Sequence, residues 1–140
     1  RIWSLDKLRC YLEYVKVTFR PTMTPGAENV LVVYYSLQRQ GDSRNSGRTT
    51  IRLLESMVRL AQAHAKLMFR DEVSILDAVY VVLIMEVSTC KVNLFPLCDS
   101  SVLDSECSDD PEGEYEVIAQ TVLSALQLDG DGMPLDADGA

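Results

Sequence analysis

The 140-residue sequence lacks the motifs on which most enzyme classes depend. It has one histidine, no Gly-rich loop ending in Gly-Lys-Ser or Gly-Lys-Thr, no HExxH and no GxSxG. Nucleotide-binding loops, zinc-protease helices and serine-hydrolase elbows need those patterns. No catalytic centre of these classes can therefore be assembled from this sequence alone.

Cysteine pairs and long apolar runs are also missing. The four cysteines contain no Cys-x-x-Cys pair, so neither a structural zinc site nor a disulfide framework is expected, and a reducing intracellular compartment is favoured. The longest nearly unbroken apolar run, residues 78–85, is too short to cross a bilayer. No signal-peptide pattern and no initiator Met open the chain, which we interpret as a fragment. The cysteines are Cys10, Cys90, Cys98 and Cys107.

Basic residues are absent after residue 98. Residues 1–98 hold all 13 Lys and Arg and 9 of the 21 acids, a net charge of +4, whereas residues 99–140 hold the other 12 acids, a net charge of −12. The overall charge of −8 therefore describes neither part. With 47% apolar residues, the sequence predicts a mildly basic globular part followed by an acidic tail.

Four helices are predicted before the tail, each from apolar residues at helical spacing. The first follows Ser4 as cap, and the second begins at Thr24-Pro25 with proline in the first helical position. The third runs from about Thr50 to Phe69, and the fourth begins at Ser74, with Asp77 completing a capping box. The expected apolar stripes are Leu5, Leu8, Leu12 and Val15; Ala27, Val30, Leu31, Tyr34 and Leu37; and Ile51, Leu54, Met57, Val58, Ala61, Ala65 and Met68.

The predicted fold is all-α, a small helical bundle with a largely disordered acidic tail. The bundle covers residues 1–90, and residues 91–113 form a linker whose Asp, Ser and Glu content predicts disorder. Residues 114–128 have the pattern of a short amphipathic helix, and residues 129–140 are expected to be a disordered acidic end. We expect deletion of residues 99–140 to leave the bundle folded.

Aspartates near the end of the chain resemble a calcium-binding loop, but two positions argue against one. Met133 stands where an oxygen ligand belongs, and Pro134 where glycine is required. A solvated tail without a metal site is the better interpretation. The aspartates are Asp129, Asp131, Asp136 and Asp138.

His64 and Arg52 are the two side chains with chemical interest. His64 lies on the apolar face of the third helix, where a hydrogen-bonded core histidine is expected rather than a base. Arg52 lies in that helix's first turn, where its charge opposes the helix dipole at a cost of about 0.3–1 kcal/mol. With Arg44 and Arg48 just upstream, free backbone N–H groups there can receive a phosphate. Spacing alone, however, favours a solvent-exposed arginine without a role.

A family resemblance shifts that balance. Residues 48–66, Arg-Thr-Thr-Ile-Arg-Leu-Leu-Glu-Ser-Met-Val-Arg-Leu-Ala-Gln-Ala-His-Ala-Lys, resemble the T-x-R-x-x-E-x-x-x-R-x-x-E-A-x-A region of the MCM helicases, ring-forming AAA+ ATPases that unwind DNA. The similarity continues through residues 70–73 and 77–78 and reaches back to residues 3–12 and 35–39.

Within that family, residues 44–56 and 67–71 are most similar to the paralogue numbered nine. The resemblance implies an AAA+ lid whose sensor-two arginine, matched by Arg52, points at the γ-phosphate of ATP at a subunit interface. It also implies that Glu55, Arg59 and Arg48 support the helix face or the interface.

The resemblance further implies ATP with Mg²⁺ as cofactor, held mainly by residues outside this chain. Other MCM subunits are the expected partners, the paralogue numbered eight among them, with DNA bound by other regions and no membrane. A nuclear location and a role in replication-linked or recombinational repair follow from the same resemblance. One departure is Gln62, which stands where the family usually has Glu.

Two other classes of protein remain open from the residues. A short–long–short helix order with a wide apolar face on the third helix also suits a histone-fold-like dimerisation module without a catalytic role. A free-standing DNA-binding domain is less favoured, because a net charge of +4 over 98 residues is small and few aromatic residues lie between the bases. Its basic residues would be Arg44, Arg48, Arg52 and Arg59.

Overall fold

The computed structural model describes residues 2–41, 50–89 and 110–135. Two-residue strands form one parallel pair, with Thr22 opposite Glu72 and Met23 opposite Val73. The rest is mainly helical, which confirms the all-α prediction, and no helix in these ranges is long and apolar enough to cross a membrane. The elements are α1 (Leu5–Thr18), β1 (Thr22–Met23), α2 (Pro25–Gly41), α3 (Ile51–Leu67), β2 (Glu72–Val73), α4 (Ile75–Thr89) and α5 (Pro111–Ala125).

The starts of α1 and α2 follow the predicted caps. The Ser4 hydroxyl accepts a hydrogen bond from the Lys7 backbone N–H at 3.4 Å. The Thr24 hydroxyl accepts one from the Ala27 N–H at 3.4 Å and donates one to the Val73 carbonyl at 2.7 Å. Thr24 thus caps α2 and at the same time ties it to β2, the strand before α4.

The start of α4 contains one of the two side-chain bonds of the predicted capping box. The Ser74 backbone N–H donates to the Asp77 carboxylate at 2.7 Å, and the Asp77 N–H donates to the Ser74 carbonyl at 3.1 Å. This local signal prevails over the β-branched composition of α4, because the helix is buried on nearly all sides and packing outweighs propensity. Its buried apolar residues are Ala78, Val79, Val81, Val82 and Leu83.

The core lies where α4 packs between α2, α3 and α5. Most of the predicted core positions of α2 and α3 are buried there. Leu37, Leu54 and Val58 are half-buried against this core, whereas Ile51 and Met68 are 68% and 54% exposed, because they lie at the first residue of α3 and just beyond its last. The confirmed positions are Ala27, Val30, Leu31, Tyr34, Met57, Ala61 and Ala65.

The predicted buried stripe of α1 is wrong for three of its four leading positions. Leu5, Leu8 and Leu12 are 61%, 42% and 39% exposed, and only Val15 is buried. The physical reason is that α1 packs mainly against the C-terminal end of α3, where the Tyr11 hydroxyl donates to a backbone carbonyl. The leucines lie at helical spacing but face solvent.

Phe69 ends α3 in a conformation that favours glycine. Its φ is +58°, and the N–H of the next residue, Arg70, donates to the Ala65 carbonyl at 3.0 Å, as in a Schellman motif. The left-handed backbone costs about 1–2 kcal/mol. Contacts of the Phe69 ring offset this cost, since its centroid lies 5.5 Å from that of Tyr11 and 5.1 Å from that of Phe19.

The acidic segment is folded where the structure describes it, which corrects the expectation of a linker through residue 113. The side chain of Asp110 accepts from the Gly113 N–H at 3.1 Å, and Pro111 takes the first helical position, so α5 begins before residue 114. The apolar face of α5 and the following turn is buried. Its buried residues are Ala119, Val122, Leu123, Leu126 and Leu128. Residues 90–109 and 136–140 lie outside the described residues.

A turn after α5 closes against the start of α2, where a disordered end was expected. Asp129 shapes this turn, because its carboxylate accepts from the N–H groups of Asp131 and Met133 at 2.9 and 2.8 Å. Gly132, with φ +72°, lies against Gly26 so closely that a Cβ on it would come within 2.7 Å of the Gly26 carbonyl oxygen. Only glycine fits at this contact.

Burial of α5 predicts that the bundle depends on it, contrary to the sequence-based expectation for deletion of residues 99–140. Leu123→Ala, at an 8% exposed position, should lower the free energy of unfolding by about 2–4 kcal/mol. Val117→Ala, on the same helix but 65% exposed, should change it by less than about 0.5 kcal/mol. Urea unfolding of both variants measures the difference, and equal small effects would show that α5 does not contribute to the core.

Candidate functional site

The predicted site residues of α3 lie on one exposed side of the helix. We call Arg52, Glu55 and Arg59 the arginine surface, since they follow one another at i, i+3 and i+7. Glu55 Oε2 and Arg59 Nη2 are 3.8 Å apart, and the two side chains are 57% and 78% exposed. An exposed pair of this kind contributes about 0.3–0.5 kcal/mol. Arg48, with Arg44, lies outside the described residues.

The N-terminus of α3 differs from the other helix starts that the structure describes. Thr50 is its N-cap, but the threonine side chain makes no capping hydrogen bond, and the first turn holds no acid. In the described residues, α1, α2, α4 and α5 each have a polar side chain bonded to a backbone N–H at the start and an acid in the first turn. The backbone N–H groups of α3 thus keep their partial positive charge.

Arg52 adds a full positive charge at this N-terminus. It is exposed, and none of the ion pairs found among residues 2–41, 50–89 and 110–135 includes it. Uncapped N–H groups beside a guanidinium suit an anion such as a phosphate group, because dipole and charge act in the same direction. This end of α3 therefore favours an anion.

A metal site finds no support among the described side chains. Within those three ranges, no three His, Cys, Asp or Glu residues are grouped so that they could hold an ion. The carboxylate of Asp129 is engaged in its own turn, and Asp136 and Asp138 lie outside the described residues.

A buried carboxylate holds the opposite end of α3. The side chain of Asp77 is fully buried and accepts from the Arg70 guanidinium at 2.7 Å and from the Ser74 hydroxyl at 2.9 Å. His64 Nδ1 lies 2.6 Å from the same carboxylate. The predicted hydrogen bond of His64 is therefore present, but its side chain is 25% exposed and lies at the edge of the core rather than within it. The sequence did not reveal that these four residues meet, although Arg70 and Asp77 both belong to the stretches that resemble the family.

The hydrogen bonds of Asp77 keep it ionised. Burial by itself would raise the pKa of this carboxyl. The contact with His64, the backbone and hydroxyl bonds from Ser74 and the charge of Arg70 outweigh burial and lower the pKa below its ordinary value of 3.8. No buried side-chain polar atom among the described residues lacks a hydrogen-bond partner.

Three stacked rings extend this cluster to α5. The rings of His64 and Tyr80 have centroids 5.0 Å apart, and those of Tyr80 and Tyr115 are 5.7 Å apart. Burial raises the pKa of the Tyr115 hydroxyl, and the nearby Tyr80 and Asp77 raise it further. The stack therefore joins α3, α4 and α5 around one buried charge.

A second polar cluster, which sequence reasoning missed, ties α2 to α4. The Tyr34 hydroxyl and the Gln38 amide donate to one oxygen of Glu86 at 2.7 and 2.8 Å. Burial, with the adjacent carboxylate, raises the pKa of Tyr34 well above its ordinary range. Two features of the sequence could have indicated this cluster. Gln38 lies four residues after the core residue Tyr34, and Glu86 is an acid within the apolar helix α4.

Gln62 has a structural role at its unusual position. Its amide N–H donates to the Pro21 carbonyl at 3.4 Å, which links α3 to the connection between α1 and α2. A glutamate carboxylate has no proton to donate to a carbonyl at neutral pH. The departure from the family pattern therefore matches a contact that only the amide can make.

Comparison of the sequence with known proteins identifies its family. The model of the MCM AAA-lid domain matches residues 6–89. The "probable DNA helicase MCM9" of Arabidopsis thaliana is 44% identical over 115 residues, which are 81% of this chain and 17% of the relative. The protein of the same name from Oryza sativa subsp. indica is 44% identical over 113 residues, with the same coverage. The "probable DNA helicase MCM8" of Arabidopsis thaliana is 39% identical over 82 residues, 58% of this chain and 10% of the relative.

The chain therefore belongs to the family of MCM AAA-lid domains. The predicted resemblance to the MCM family, and to its paralogue numbered nine, is confirmed. The chain spans 17% of the length of the relatives named MCM9.

The Asp77 cluster predicts an acid-sensitive bundle. Asp77→Asn should lower the free energy of unfolding at pH 7 by about 3 kcal/mol, since it leaves the Arg70 charge without a carboxylate. Because the folded-state pKa lies below 3.8, the stabilisation is complete above pH 3.8 and is lost as the pH falls through the folded value.

Thermal unfolding between pH 2.5 and pH 7 measures this effect, because that range includes the ordinary Asp pKa of about 3.9. The wild-type melting temperature should fall more steeply below about pH 4 than that of Asp77→Asn. Asp71→Asn, the same change at an exposed site nearby, should behave like wild type. Parallel pH curves for wild type and Asp77→Asn would contradict the assignment.

Proposed function

We propose that this chain is the lid of an MCM-type DNA helicase and that Arg52 is the sensor-two arginine it supplies to ATP. One observation carries the assignment of Arg52. In the described part of the chain, α3 is the helix whose N-terminus has neither a side-chain cap nor an acid, and this end bears the arginine. An arginine that raises the energy of its own helix is best explained by an anion it must contact.

Arginine suits this task because its charge does not titrate near neutral pH. The planar guanidinium offers a fork of N–H donors to phosphate oxygens. ATP supplies the transferable γ-phosphoryl group, and charge on its oxygens is stabilised during transfer by positive groups held in place beforehand. Glu55 pairs with Arg59, which limits the attraction between Glu55 and Arg52 and helps keep the Arg52 guanidinium available.

The activity of the whole protein is part of the same proposal. Relatives named probable DNA helicases support ATP-dependent DNA unwinding by a longer polypeptide that contains this lid. Its proposed partners are other MCM subunits in a ring, the paralogue numbered eight among them, and its proposed setting is replication-linked or recombinational repair in the nucleus. Mg²⁺ and most ATP contacts belong to residues outside this chain.

The histone-fold-like alternative loses its support in the structure. That reading needs a long central helix with an apolar face free for dimerisation, but α2 and α3 have 17 residues each. The apolar face of α3 is covered by α2 and α4 of the same chain. The wide apolar face of α3, with Met57, Ala61 and Ala65, is therefore not free for a histone-fold dimer contact.

Substitution of Arg52 in the full-length protein tests the assignment. Arg52→Ala should lower ATP turnover in the assembled ring by about 100-fold or more, the effect of removing one preorganised charge from a phosphoryl-transfer site. Unwinding should fall with it, while the melting temperature stays the same or rises because a charge unfavourable to α3 is gone.

Arg9→Ala is the matched control, since Arg9 is 67% exposed on α1, away from α3's N-terminus. It should leave ATP turnover unchanged. Wild-type turnover in the Arg52→Ala ring, with assembly intact, would refute the proposed role.

A further inference from the structure

The ring of Tyr80 in α4 lies between two other rings. Its centroid is 5.0 Å from that of His64 in α3, with 33° between the ring planes, and 5.7 Å from that of Tyr115 in α5, with 25° between the planes. All three side chains are half-buried. Rings at such distances attract each other beyond the area they bury, so Tyr115 limits the movement of Tyr80, and Tyr80 limits that of His64.

His64 is the residue through which α3 itself contacts the buried carboxylate of Asp77. Among the hydrogen-bond partners that the structure describes for this carboxylate, Ser74 precedes α4 and Arg70 follows α3, whereas His64 lies within α3. The His64 side chain is 25% exposed, so the core does not surround it. Its orientation on Asp77 therefore depends on the ring of Tyr80, which covers one of its faces.

Tyr115 reaches this cluster from a helix outside the part of the chain that matches the lid domain. That match ends at residue 89, and α5 begins at Pro111. The later turns of α5 are buried in the core, and the turn that follows lies against the start of α2. The core thus anchors α5 independently of the three rings, and Tyr115 is a fixed support for the other two.

We propose that Tyr115 is a positioning residue for Arg52: through Tyr80 it holds His64 on Asp77, and so fixes the direction in which α3 presents the arginine to ATP. The proposal rests on the proposed function, because Tyr115 affects ATP turnover in this way only if Arg52 contacts the nucleotide.

The length of α3 makes the position of Arg52 sensitive to this support. Arg52 lies about 18 Å from His64 along the helix, so a tilt of about 3° at His64 displaces the arginine by about 1 Å. A misplacement of about 1 Å in a catalytic group lowers turnover by as much as about 100-fold. Loss of one of the supporting rings should therefore have a measurable effect on turnover, although the ring is distant from the nucleotide.

Replacement of the Tyr115 ring in the full-length protein tests this role. Tyr115→Leu keeps an apolar side chain but removes the ring, and it should lower kcat for ATP about tenfold while KM changes less than about twofold, because Arg52 acts on the transferred phosphoryl group. Tyr115→Phe keeps the ring and should restore the wild-type kcat. Melting temperatures verify that each variant is folded, and turnover is measured well below the lowest of them.

Val30→Ala is the matched control for stability. Val30 is fully buried in α2, a helix that contributes no ring to the stack, so this variant should have a lower melting temperature and a wild-type kcat. Equal losses of kcat in Val30→Ala and Tyr115→Leu would show a general effect of destabilisation and would overturn the proposal.

His64→Gln gives a second test that stays decisive if Tyr115→Leu fails to fold. Its amide can still donate a hydrogen bond to Asp77, but it offers no ring for Tyr80 to stack on. We expect kcat to fall about tenfold in this variant as well. A wild-type kcat in His64→Gln would contradict a positioning role for the stack.

A double-mutant cycle with Arg52→Ala measures whether Tyr115 acts through Arg52. Tyr115→Leu should lower kcat about tenfold when Arg52 is present and less than about twofold in the Arg52→Ala background. The same tenfold loss in both backgrounds, about equal in size, would overturn the positioning role. Lost turnover in Arg52→Ala with a wild-type kcat in Tyr115→Leu would refute the role of Tyr115 alone, whereas wild-type turnover in Arg52→Ala would refute the sensor role on which the proposal rests.

Discussion

The orientation of α3 depends on the hydrogen-bonded carboxylate of Asp77. Through His64 it holds the last turns of α3, through Arg70 the turn that follows, and through Ser74 the start of α4. Arg52 lies twelve residues before His64, which is about 18 Å along a helix. A small change in the orientation of α3 at its buried end therefore moves Arg52 appreciably. The position of the exposed guanidinium thus depends on the buried Asp77 carboxylate.

The sequence predicted those elements whose signals are local. The caps at Ser4, Thr24 and Ser74 were legible because a side chain bonds a backbone group within three residues of itself, and spacing encodes such contacts directly. The position of Arg52 in the first turn of α3 was predictable for the same reason. Its relation to ATP came from family resemblance rather than from spacing.

Features that depend on distant partners were not predictable in this way. The leucines of α1 have a core-like pattern, but whether they are buried depends on where α1 packs. The β1–β2 pair joins residues about 50 positions apart. Each strand has only two residues, too few to show the alternation of apolar and polar residues that predicts a strand. The cluster around Glu86 likewise joins two helices whose sequences show only an isolated polar residue each.

Composition alone misrepresents the segment that contains α5. The acids of α5, Glu112, Glu114 and Glu116, are exposed in its first turns, whereas its buried apolar residues lie in the later turns and just beyond, so the high acid content does not prevent burial there. Charge density is an average over a stretch of chain, whereas burial depends on which individual residues contact the core. An acidic stretch without a single base can thus complete a hydrophobic core.

The solvent-facing leucines of α1 also contribute to how the bundle behaves in concentrated salt solution. Sulfate and similar excluded salts raise the free energy of apolar surface in water, while they screen the net negative charge that keeps the molecules apart. Both effects favour contact between Leu5, Leu8 and Leu12 on different molecules. Salting-out of this bundle is therefore favoured by this exposed side of α1.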